Sequence, residues 1–276
     1  MGNLRILFFG DVVGRPGRAA LKKSLAHLKK EFKADFVIIN AENLSHGKGV
    51  SEPVIKEMEK IGVDAFTSGN HIFAKKREAQ GLLTVENSNL LRPANYPTGT
   101  VGEGYRVFEA ENGKKILIVN LIGRVFMQRN FEDPFAVAGE ILKEYGLKMS
   151  DANIKVDAII IDWHTEASSE KKALGYYLDG KVSAVLGTHT HIPTADEQVL
   201  PEGTAFMADV GMVGVYQSVL GVEKDAVVDL FLTQLPHHLE VPENEKEAEV
   251  GGALIEIDSK TGLAKSIKRI REIIKL

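Results

Sequence analysis

Polar side chains that can bind metal ions follow five separate apolar segments of this 276-residue chain. The segments span residues 4–11, 36–43, 65–71, 158–164 and 184–191. Each segment stops abruptly at carboxylate, amide or imidazole groups, which are Asp11, Glu42, Asn43, Asn70, His71, His164, His189 and His191. Together these groups offer enough oxygen and nitrogen donors for two divalent ions.

The ligand types indicate the chemistry that such a site would perform. Carboxylate, amide and imidazole ligands without cysteine suit Mn²⁺, iron or Zn²⁺ better than Mg²⁺ alone. Two such ions, about 3.5–4 Å apart, can clamp the attacking and leaving oxygens of an in-line displacement and make a bridging water acidic. His71 adjoins Asn70, and its position suits a general acid that protonates a leaving alkoxide. The residues therefore predict hydrolysis of a phosphoester.

Each of these groups also has a simpler explanation when it is taken alone. Asp11 could cap a helix, and His164 could be an ordinary buried histidine. His189 and His191 could be incidental histidines of a polar loop. On an extended chain these two side chains point in opposite directions, so a turn is needed for both to reach one centre. The repetition at five strand ends favours a shared dinuclear site.

The apolar pattern predicts the strands and helices that position these groups. Short apolar runs of this kind are typical of central strands that are buried on both faces of a sheet. Glycine-rich residues 10–17 predict a loop after the first strand, and the helical spacing that follows predicts a helix over residues 18–32. In open α/β sheets, ligands bind at the carboxyl ends of the strands. We therefore expect the groups to converge on one edge of one sheet.

Two hairpins are predicted outside this alternating pattern. Residues 105–109 and 115–121 flank Asn112 and Gly113, which is a strong signal for a tight turn. Residues 250–257 and 265–274 predict a second hairpin near the end of the chain, although the second of these segments could also be a helix.

Composition narrows the class of protein. A net charge of −4, with 26% charged and 44% hydrophobic residues, is ordinary for a soluble globular protein. It argues against a protein that binds duplex nucleic acid, which would usually carry a basic surface. The absence of cysteine excludes disulfides, thiolate catalysis and iron–sulfur clusters. We predict one domain over residues 1–276 and a cytoplasmic protein, because we find neither a signal peptide nor a membrane-spanning run.

The order of these motifs resembles the calcineurin-like metallophosphoesterase superfamily. That superfamily has Asp-x-His, Gly-Asp, Gly-Asn-His, a His and Gly-His-x-His in this order. The chain is more similar to its YmdB-like branch of bacterial cyclic-nucleotide phosphodiesterases. Val13 of this chain stands where the superfamily has histidine, and that branch also lacks the histidine. Ala74 departs from that branch, which usually has an acidic residue there. The resemblance implies an α/β fold, a two-sheet β-sandwich flanked by helices in four α-β-β-α layers.

The resemblance also implies a set of ligands for two transition-metal ions, with iron or manganese favoured and zinc as an alternative. One ion is implied to be held by Asp11, Glu42, Asn43 and His191. The other is implied to be held by Glu42, Asn70, His164 and His189. Glu42 would then bridge the two ions, and His71 looks like the general acid.

We predict a phosphodiesterase that hydrolyses 2′,3′- or 3′,5′-cyclic nucleotides by attack of a metal-bridged hydroxide, with His71 as the acid. A phosphomonoesterase or 5′-nucleotidase is one alternative. A phosphate monoester carries about one more negative charge than a diester, so its pocket should add basic side chains. Arg124 and His46 are the candidate substrate contacts. The other alternative is a non-catalytic RNA-binding or regulatory protein with a structural metal site.

The predicted partners are the substrate and further copies of the same chain. We expect a small cyclic nucleotide or another phosphodiester as the substrate, with no membrane and no duplex nucleic acid. Similarity to the family and the apolar stretch at residues 207–222 indicate a homo-oligomer.

Overall fold

The computed structural model describes residues 3–145, 156–242 and 244–276, which form twelve strands and six helices. The strands are β1 (Leu4–Val12), β2 (Phe36–Asn40), β3 (Ala65–Thr67), β4 (Tyr105–Glu109), β5 (Lys115–Ile122), β6 (Ala158–His164), β7 (Ala184–Thr188), β8 (Gln198–Val199), β9 (Ala205–Met207), β10 (Met212–Val215), β11 (Glu247–Ile257) and β12 (Ala264–Lys275). The helices are α1 (Gly14–Phe32), α2 (Glu52–Lys60), α3 (Lys76–Leu83), α4 (Pro134–Tyr145), α5 (Ser168–Tyr177) and α6 (Lys224–Thr233).

The first sheet has six strands in the order β12-β11-β10-β1-β2-β3. Strand β1 runs parallel to β2 and β10 and antiparallel to β11. Strands β2 and β3 are also parallel. Strand β2 is buried along its whole length, which agrees with its uninterrupted apolar sequence. The parallel strands β1, β2 and β3 therefore direct their carboxyl ends to one edge.

The second sheet also has six strands, in the order β4-β5-β6-β7-β9-β8. The predicted hairpin of β4 and β5 is confirmed, with Tyr105 opposite Val119. Strands β5, β6 and β7 are parallel, and both β6 and β7 are completely buried. This sheet has its own carboxyl edge, at which β6 ends in His164 and β7 ends in Thr188.

Three apolar clusters separate four layers. Between the sheets, Ile6 and Phe8 of β1 share a cluster with Ile118 and Ile160 of the second sheet. A second cluster joins the outer face of the first sheet to the helices α1, α2 and α3. A third joins the outer face of the second sheet to α4 and α5. The predicted α/β fold, a two-sheet sandwich flanked by helices, is confirmed.

The prediction that all the polar groups lie on one edge of one sheet was wrong. They lie at the carboxyl edges of two sheets, because β6 and β7 pair with β5 and not with β1–β3. The apolar pattern of a strand shows that it is buried, but it does not show which strand is its neighbour.

Two local predictions also need correction. Residues 14–17 belong to helix α1 and not to a loop, because the Gly17 N–H donates to the Val13 carbonyl at 3.1 Å and closes the first helical turn. The last segment is the strand β12, and the helical alternative is wrong, since it pairs with β11 from Ala264 to Lys275. Within the described residues, no helix combines the length and the apolar character that crossing a bilayer requires.

Candidate metal centre

The first sheet supplies the oxygen donors. Asp11 lies near the end of β1, Glu42 and Asn43 follow β2, and Asn70 follows β3. The Asn43 amide nitrogen donates to the Gly47 carbonyl at 2.7 Å, which fixes the orientation of the side chain. Two of the side-chain oxygens at this edge are buried and have no hydrogen-bond partner among the described residues. They are Asp11 Oδ1 and Asn43 Oδ1. Buried oxygens of this kind are costly unless a cation or a donor satisfies them.

The second sheet supplies the imidazoles. His164 is the last residue of β6 and is completely buried, whereas His189 and His191 follow β7. His189 and His191 have left-handed backbones, with φ of 95° and 64°. This double turn allows both rings to face the same side, as the alternation of an extended chain would not.

The two sets of donors meet around the ring of His164. Its Nε2 lies 2.9 Å from Asn70 Oδ1, 3.0 Å from His189 Nδ1 and 3.3 Å from Glu42 Oε1. One nitrogen can direct a single proton to only one of these three atoms. The donor atoms of Glu42, His164 and His189 all lie within 4.8 Å of one another, so this group can hold a metal ion.

A second group of donors adjoins the first. Asp11 Oδ1 lies 3.8 Å from His191 Nε2 and 3.9 Å from His164 Nδ1. The other carboxylate oxygen, Asp11 Oδ2, accepts the backbone N–H of His189 at 3.0 Å. The two carboxylate oxygens of Glu42 also have different contacts. Its Oε2 accepts the backbone N–H of His71 at 2.8 Å, while its Oε1 faces His164 Nε2. The unpartnered Asp11 Oδ1 and the carboxylate of Glu42 fit the needs of cations.

Glycine is required where the two sheets come closest. A Cβ on Gly69 would lie 2.2 Å from His164 Nε2 and 2.5 Å from Glu42 Oε2. Any other residue would therefore push apart the imidazole and the carboxylate that form the centre. The Gly-Asn-His sequence thus combines a close backbone approach with the candidate ligand Asn70.

Hydrogen bonds to the second ring nitrogens determine which tautomers are present. His191 Nδ1 lies 2.9 Å from the Leu220 carbonyl, which can only accept, so the proton is on Nδ1 and Nε2 is free to bind. His189 Nε2 lies 3.1 Å from the Glu166 carboxylate, and this ion-pair contact favours a proton on Nε2, which leaves Nδ1 free. Partners of this type orient metal-binding histidines and keep their coordinating nitrogen unprotonated.

His164 is oriented by a longer chain of contacts. Thr188 Oγ1 lies 3.0 Å from His164 Nδ1 and donates to Asp162 Oδ1 at 2.6 Å, while the Asn40 amide donates to Asp162 Oδ2 at 2.9 Å. Because the Thr188 proton points to Asp162, the hydroxyl oxygen accepts from His164 Nδ1. The ring therefore presents its Nε2 lone pair to Asn70 and Glu42.

Burial keeps the imidazoles neutral. It lowers the pKa of His164 to about 4 and that of His189 to about 3. Both rings therefore offer lone pairs at neutral pH. Burial acts in the opposite direction on carboxyl groups, raising the pKa of Asp11 and that of Asp162, the latter to about 7, although hydrogen bonds oppose the shift at Asp162.

A buried ion pair that the sequence did not reveal supports the turn between His189 and His191. Lys171 Nζ donates to Asp209 Oδ2 at 2.6 Å and to the Thr188 carbonyl at 2.8 Å. The same carboxylate oxygen accepts the backbone N–H and the hydroxyl of Thr190, at 3.1 and 2.8 Å. Lys171 lies on helix α5 beside a second lysine, so its sequence context resembles a solvated surface. Its role becomes visible only from the contact of α5 with β7 in the structure.

The remaining predicted residues have different surroundings. His71 is half-buried, and burial lowers its pKa while the Glu42 carboxylate opposes that shift. His46 is exposed, with a left-handed backbone at φ 58°. Arg124 is exposed and pairs with Asp133 at 2.9 Å. The structure thus brings the predicted metal ligands together with His71, whereas the described contacts do not join His46 or Arg124 to them.

Comparison with known proteins identifies the family of this chain. A family model described as "YmdB-like protein" matches residues 7–270, which is nearly the whole chain. The chain belongs to the YmdB-like family. The predicted resemblance to this branch of the metallophosphoesterases is therefore confirmed.

Several known proteins are similar to this YmdB-like chain in sequence or in structure. A 2′,3′-cyclic-nucleotide 2′-phosphodiesterase of Bacillus subtilis (strain 168) is 44% identical over 267 residues, which cover 97% of this chain and 96% of the relative. The crystal structure of a novel phosphatase from Mycoplasma pneumoniae superposes with a TM-score of 0.90 at 34% identity, covering 100% of this chain and 95% of that one. A hypothetical protein from Thermus thermophilus gives a TM-score of 0.87 at 36% identity, with 98% and 99% covered.

Proposed function

We propose that this protein is a dinuclear-metal phosphodiesterase that hydrolyses nucleoside 2′,3′-cyclic phosphates. The observation that carries the proposal is that oxygen and nitrogen atoms with free lone pairs converge from two sheets around His164 and Asp11. Three lone-pair atoms lie within 3.3 Å of His164 Nε2, and a cation between them would turn repulsion into binding. The 2′,3′-cyclic substrate is supported by the Bacillus subtilis relative, and 3′,5′-cyclic nucleotides are the second substrate class to be tested.

The proposed ligands divide into two sets that share Glu42. We assign Asp11, Glu42, Asn43 and His191 to one ion. We assign Glu42, Asn70, His164 and His189 to the other. When bound, such ions neutralise the charge of a phosphodiester and make water acidic enough to attack phosphorus at neutral pH. Iron and manganese suit this mixture of oxygen and imidazole ligands, and zinc is also compatible with it.

His71 is the proposed general acid. Its backbone N–H is tied to Glu42 Oε2 at 2.8 Å, which keeps the residue beside the proposed bridging ligand without using its ring. In the reaction, water oxygen forms a new bond to phosphorus and releases a proton to solvent, while the bond to the leaving ribose oxygen breaks. The imidazolium of His71 gives its proton to that ribose oxygen, so the ring opens to a free hydroxyl and not to an alkoxide. A general acid of this kind typically contributes about 10²–10⁴-fold.

Glu166 and Thr188 act on the reaction through the imidazoles. Glu166 faces His189 Nε2 at 3.1 Å, and Thr188 faces His164 Nδ1 at 3.0 Å. Both contacts keep the coordinating nitrogen unprotonated and fix the plane of the ring. Neither residue needs to touch the substrate for this role.

The test compares two chromogenic esters in the presence of added Mn²⁺ or Fe²⁺. Bis-p-nitrophenyl phosphate is a diester, and p-nitrophenyl phosphate is a monoester. We expect metal-dependent hydrolysis with clear preference for the diester, and elemental analysis should find two transition-metal ions in each chain. Preference for the monoester would favour the phosphatase alternative. Metal binding without hydrolysis of either ester would favour the structural or regulatory alternative.

A further inference from the structure

A cavity of about 620 Å³ combines aromatic walls with two basic side chains. We name it the aromatic–cationic cavity and define it by Phe73, Lys76, Tyr96, Arg129 and Phe131. The remaining residues that line it are small or uncharged, and none of its described lining residues is acidic. In a chain with a net charge of −4, a cavity with only positive charges indicates a negatively charged ligand.

The cavity adjoins the candidate metal centre on the His71 side. Phe73 lies two residues after His71, and the turn between them is closed by the Ala74 N–H, which donates to the His71 carbonyl at 2.8 Å. Tyr96 lines the cavity in contact with Phe73; burial raises the pKa of its hydroxyl, and the Glu42 carboxylate is close enough to raise it further. The wall residues therefore lie beside both the proposed acid and the proposed bridging ligand.

The backbone at Asn95 and Tyr96 is fixed to the second sheet. Asn95 is completely buried; its amide group accepts from the Ile122 N–H at 2.9 Å and donates to the Ile122 carbonyl at 2.8 Å. Ile122 pairs with the proposed ligand His164 across β5 and β6. Tyr96, the next residue after Asn95, is thus held at the same carboxyl edge as the imidazoles.

The aromatic side chains form one continuous group. The Phe73 and Tyr96 rings meet edge to face, with centroids 5.5 Å apart, and the Tyr96 and Phe131 rings do the same at 4.9 Å. Aromatic side chains of this kind are those on which nucleobases stack in nucleic-acid-binding proteins.

The basic side chains of the cavity, Lys76 and Arg129, are exposed to a ligand. Lys76 is exposed and takes part in no ion pair with a described residue. The Tyr96 hydroxyl is buried without a hydrogen-bond partner of normal geometry, although the Arg129 guanidinium lies near enough to influence it. Burial raises the pKa of Tyr96 to about 12, so the hydroxyl keeps its proton at neutral pH.

We propose that the aromatic–cationic cavity binds the base and the 5′-phosphate of the cyclic nucleotide whose 2′,3′-phosphate lies at the metal centre. The base packs against Phe73 and Phe131, while Lys76 and Arg129 bind the 5′-phosphate. The preferred substrate is then a 5′-phosphorylated nucleoside 2′,3′-cyclic phosphate, the chemical form found at the end of an oligoribonucleotide. This inference rests on the proposed function, since it assigns the substrate class of the same centre.

Equilibrium binding tests the inference without depending on turnover. The probes are adenosine 3′,5′-bisphosphate and adenosine 3′-monophosphate, and the measurement is calorimetry on the metal-loaded protein. Hydrogen bonds to charged groups contribute about 1.5–3 kcal/mol, so we expect the bisphosphate to bind roughly 10- to 100-fold more tightly. The same ratio should appear in kcat/KM for 5′-phosphorylated adenosine 2′,3′-cyclic phosphate over the form without the 5′-phosphate.

Variants then assign the ratio to the cavity. In the Lys76→Gln, Arg129→Gln double variant we expect the two probes to bind with nearly equal affinity. Arg77→Gln is the matched control, because Arg77 adjoins Lys76 on α3 but lines a separate hollow. It should keep the full ratio.

Four outcomes would decide against one of the two proposals. Equal binding of both probes by the unmodified protein, or an unchanged ratio in the double variant, would overturn the inference. Loss of the ratio in Arg77→Gln would also overturn it, since the effect would then be a general one of surface charge. Absence of metal-dependent diester hydrolysis, with the ratio of binding affinities intact, would reject the proposed function and leave a nucleotide-binding cavity.

Discussion

The two sheets supply opposite halves of the candidate metal centre, and they prepare their ligands in different ways. The first sheet contributes oxygens, of which Asp11 Oδ1 and Asn43 Oδ1 are buried without a partner among the described residues. The second sheet contributes imidazoles whose other ring nitrogens are all occupied. Their partners are Thr188 for His164, Glu166 for His189 and the Leu220 carbonyl for His191.

The difference follows from the chemistry of the ligands. A carboxylate or amide oxygen has no tautomer to choose, and a carboxylate is drawn to a cation by its charge. A neutral imidazole offers a lone pair on one nitrogen only, so a hydrogen bond at the other nitrogen must select the correct form. We infer that the first sheet provides the charge of the centre and the second provides its fixed geometry. The expected effects of substitution on the two sides differ accordingly.

The largest effect is expected for Glu42 on the first-sheet side. Glu42→Ala should remove most of the bound metal and essentially all activity, because the only proposed bridging ligand and its negative charge are lost together. Asn43→Ala is the matched comparison, since it removes a neutral ligand of one ion and should retain more metal. Metal content measured by elemental analysis distinguishes the two variants. Equal occupancy in both would mean that Glu42 does not bridge the ions.

His71 also belongs to the first-sheet side, but its loss should affect the reaction and not the metals. We expect His71→Ala to keep both ions and to lower kcat by about 10²–10⁴-fold on a diester with an alkoxide leaving group. On bis-p-nitrophenyl phosphate the loss should be much smaller, because p-nitrophenolate departs without a proton. Steady-state kinetics on both esters, together with metal content, provides the measurement.

Two contrary results for His71→Ala would have different meanings. An equal loss of rate on both esters, with metal retained, would reject the role of general acid. Loss of metal would instead identify His71 as a ligand.

The sequence indicated the candidate ligands of this centre better than it indicated their arrangement in space. Residues such as Asp11 and His164 stood out because each ends a buried apolar strand, and a buried strand end has few reasons to be polar. The division of the ligands between two sheets was not predictable, since strand pairing is decided by contacts that are distant in sequence. The same limit hid Lys171, which follows a glutamate and precedes a lysine and therefore resembles an exposed position.

Loop positions were hidden for a different reason. Tyr96 and Arg129 lie between strands and outside any periodic pattern, so neither burial nor orientation could be inferred for them. Asn95 places Tyr96 by hydrogen bonds to Ile122, a contact across 27 residues of sequence. Contacts of this kind become visible only when the backbone is known.

The second-sheet side should respond to the loss of Lys171. Breaking a buried ion pair by removing one partner typically costs about 3–5 kcal/mol, so Lys171→Met should lower the free energy of unfolding by that amount. It should also weaken metal binding, because Asp209 and the Thr188 carbonyl lose their common partner. Urea unfolding and titration with Mn²⁺ measure the two effects.

Lys172→Met is the matched control for Lys171. Lys172 is the next residue, but its side chain is 41% exposed and pairs with Asp196 at 3.3 Å. An exposed pair contributes about 0–1 kcal/mol, so this variant should change little. Similar losses in the two variants would show that Lys171 has no special role beneath the His189–His191 turn.

The smallest effect is expected for the hydroxyl that connects His164 to Asp162. Thr188→Val keeps the shape of the side chain but removes the group that faces His164 Nδ1 at 3.0 Å and donates to Asp162 at 2.6 Å. The imidazole then loses the contact that selects its tautomer, and we expect metal affinity to fall about 10–100-fold. Thr188→Ser retains the hydroxyl and should keep affinity near that of the unmodified protein. Mn²⁺ titration of both variants measures this difference. If Val and Ser bound metal equally well, the orientation of His164 would come from packing alone, and the contrast between a charged first-sheet side and a hydrogen-bonded second-sheet side would not hold at this ligand.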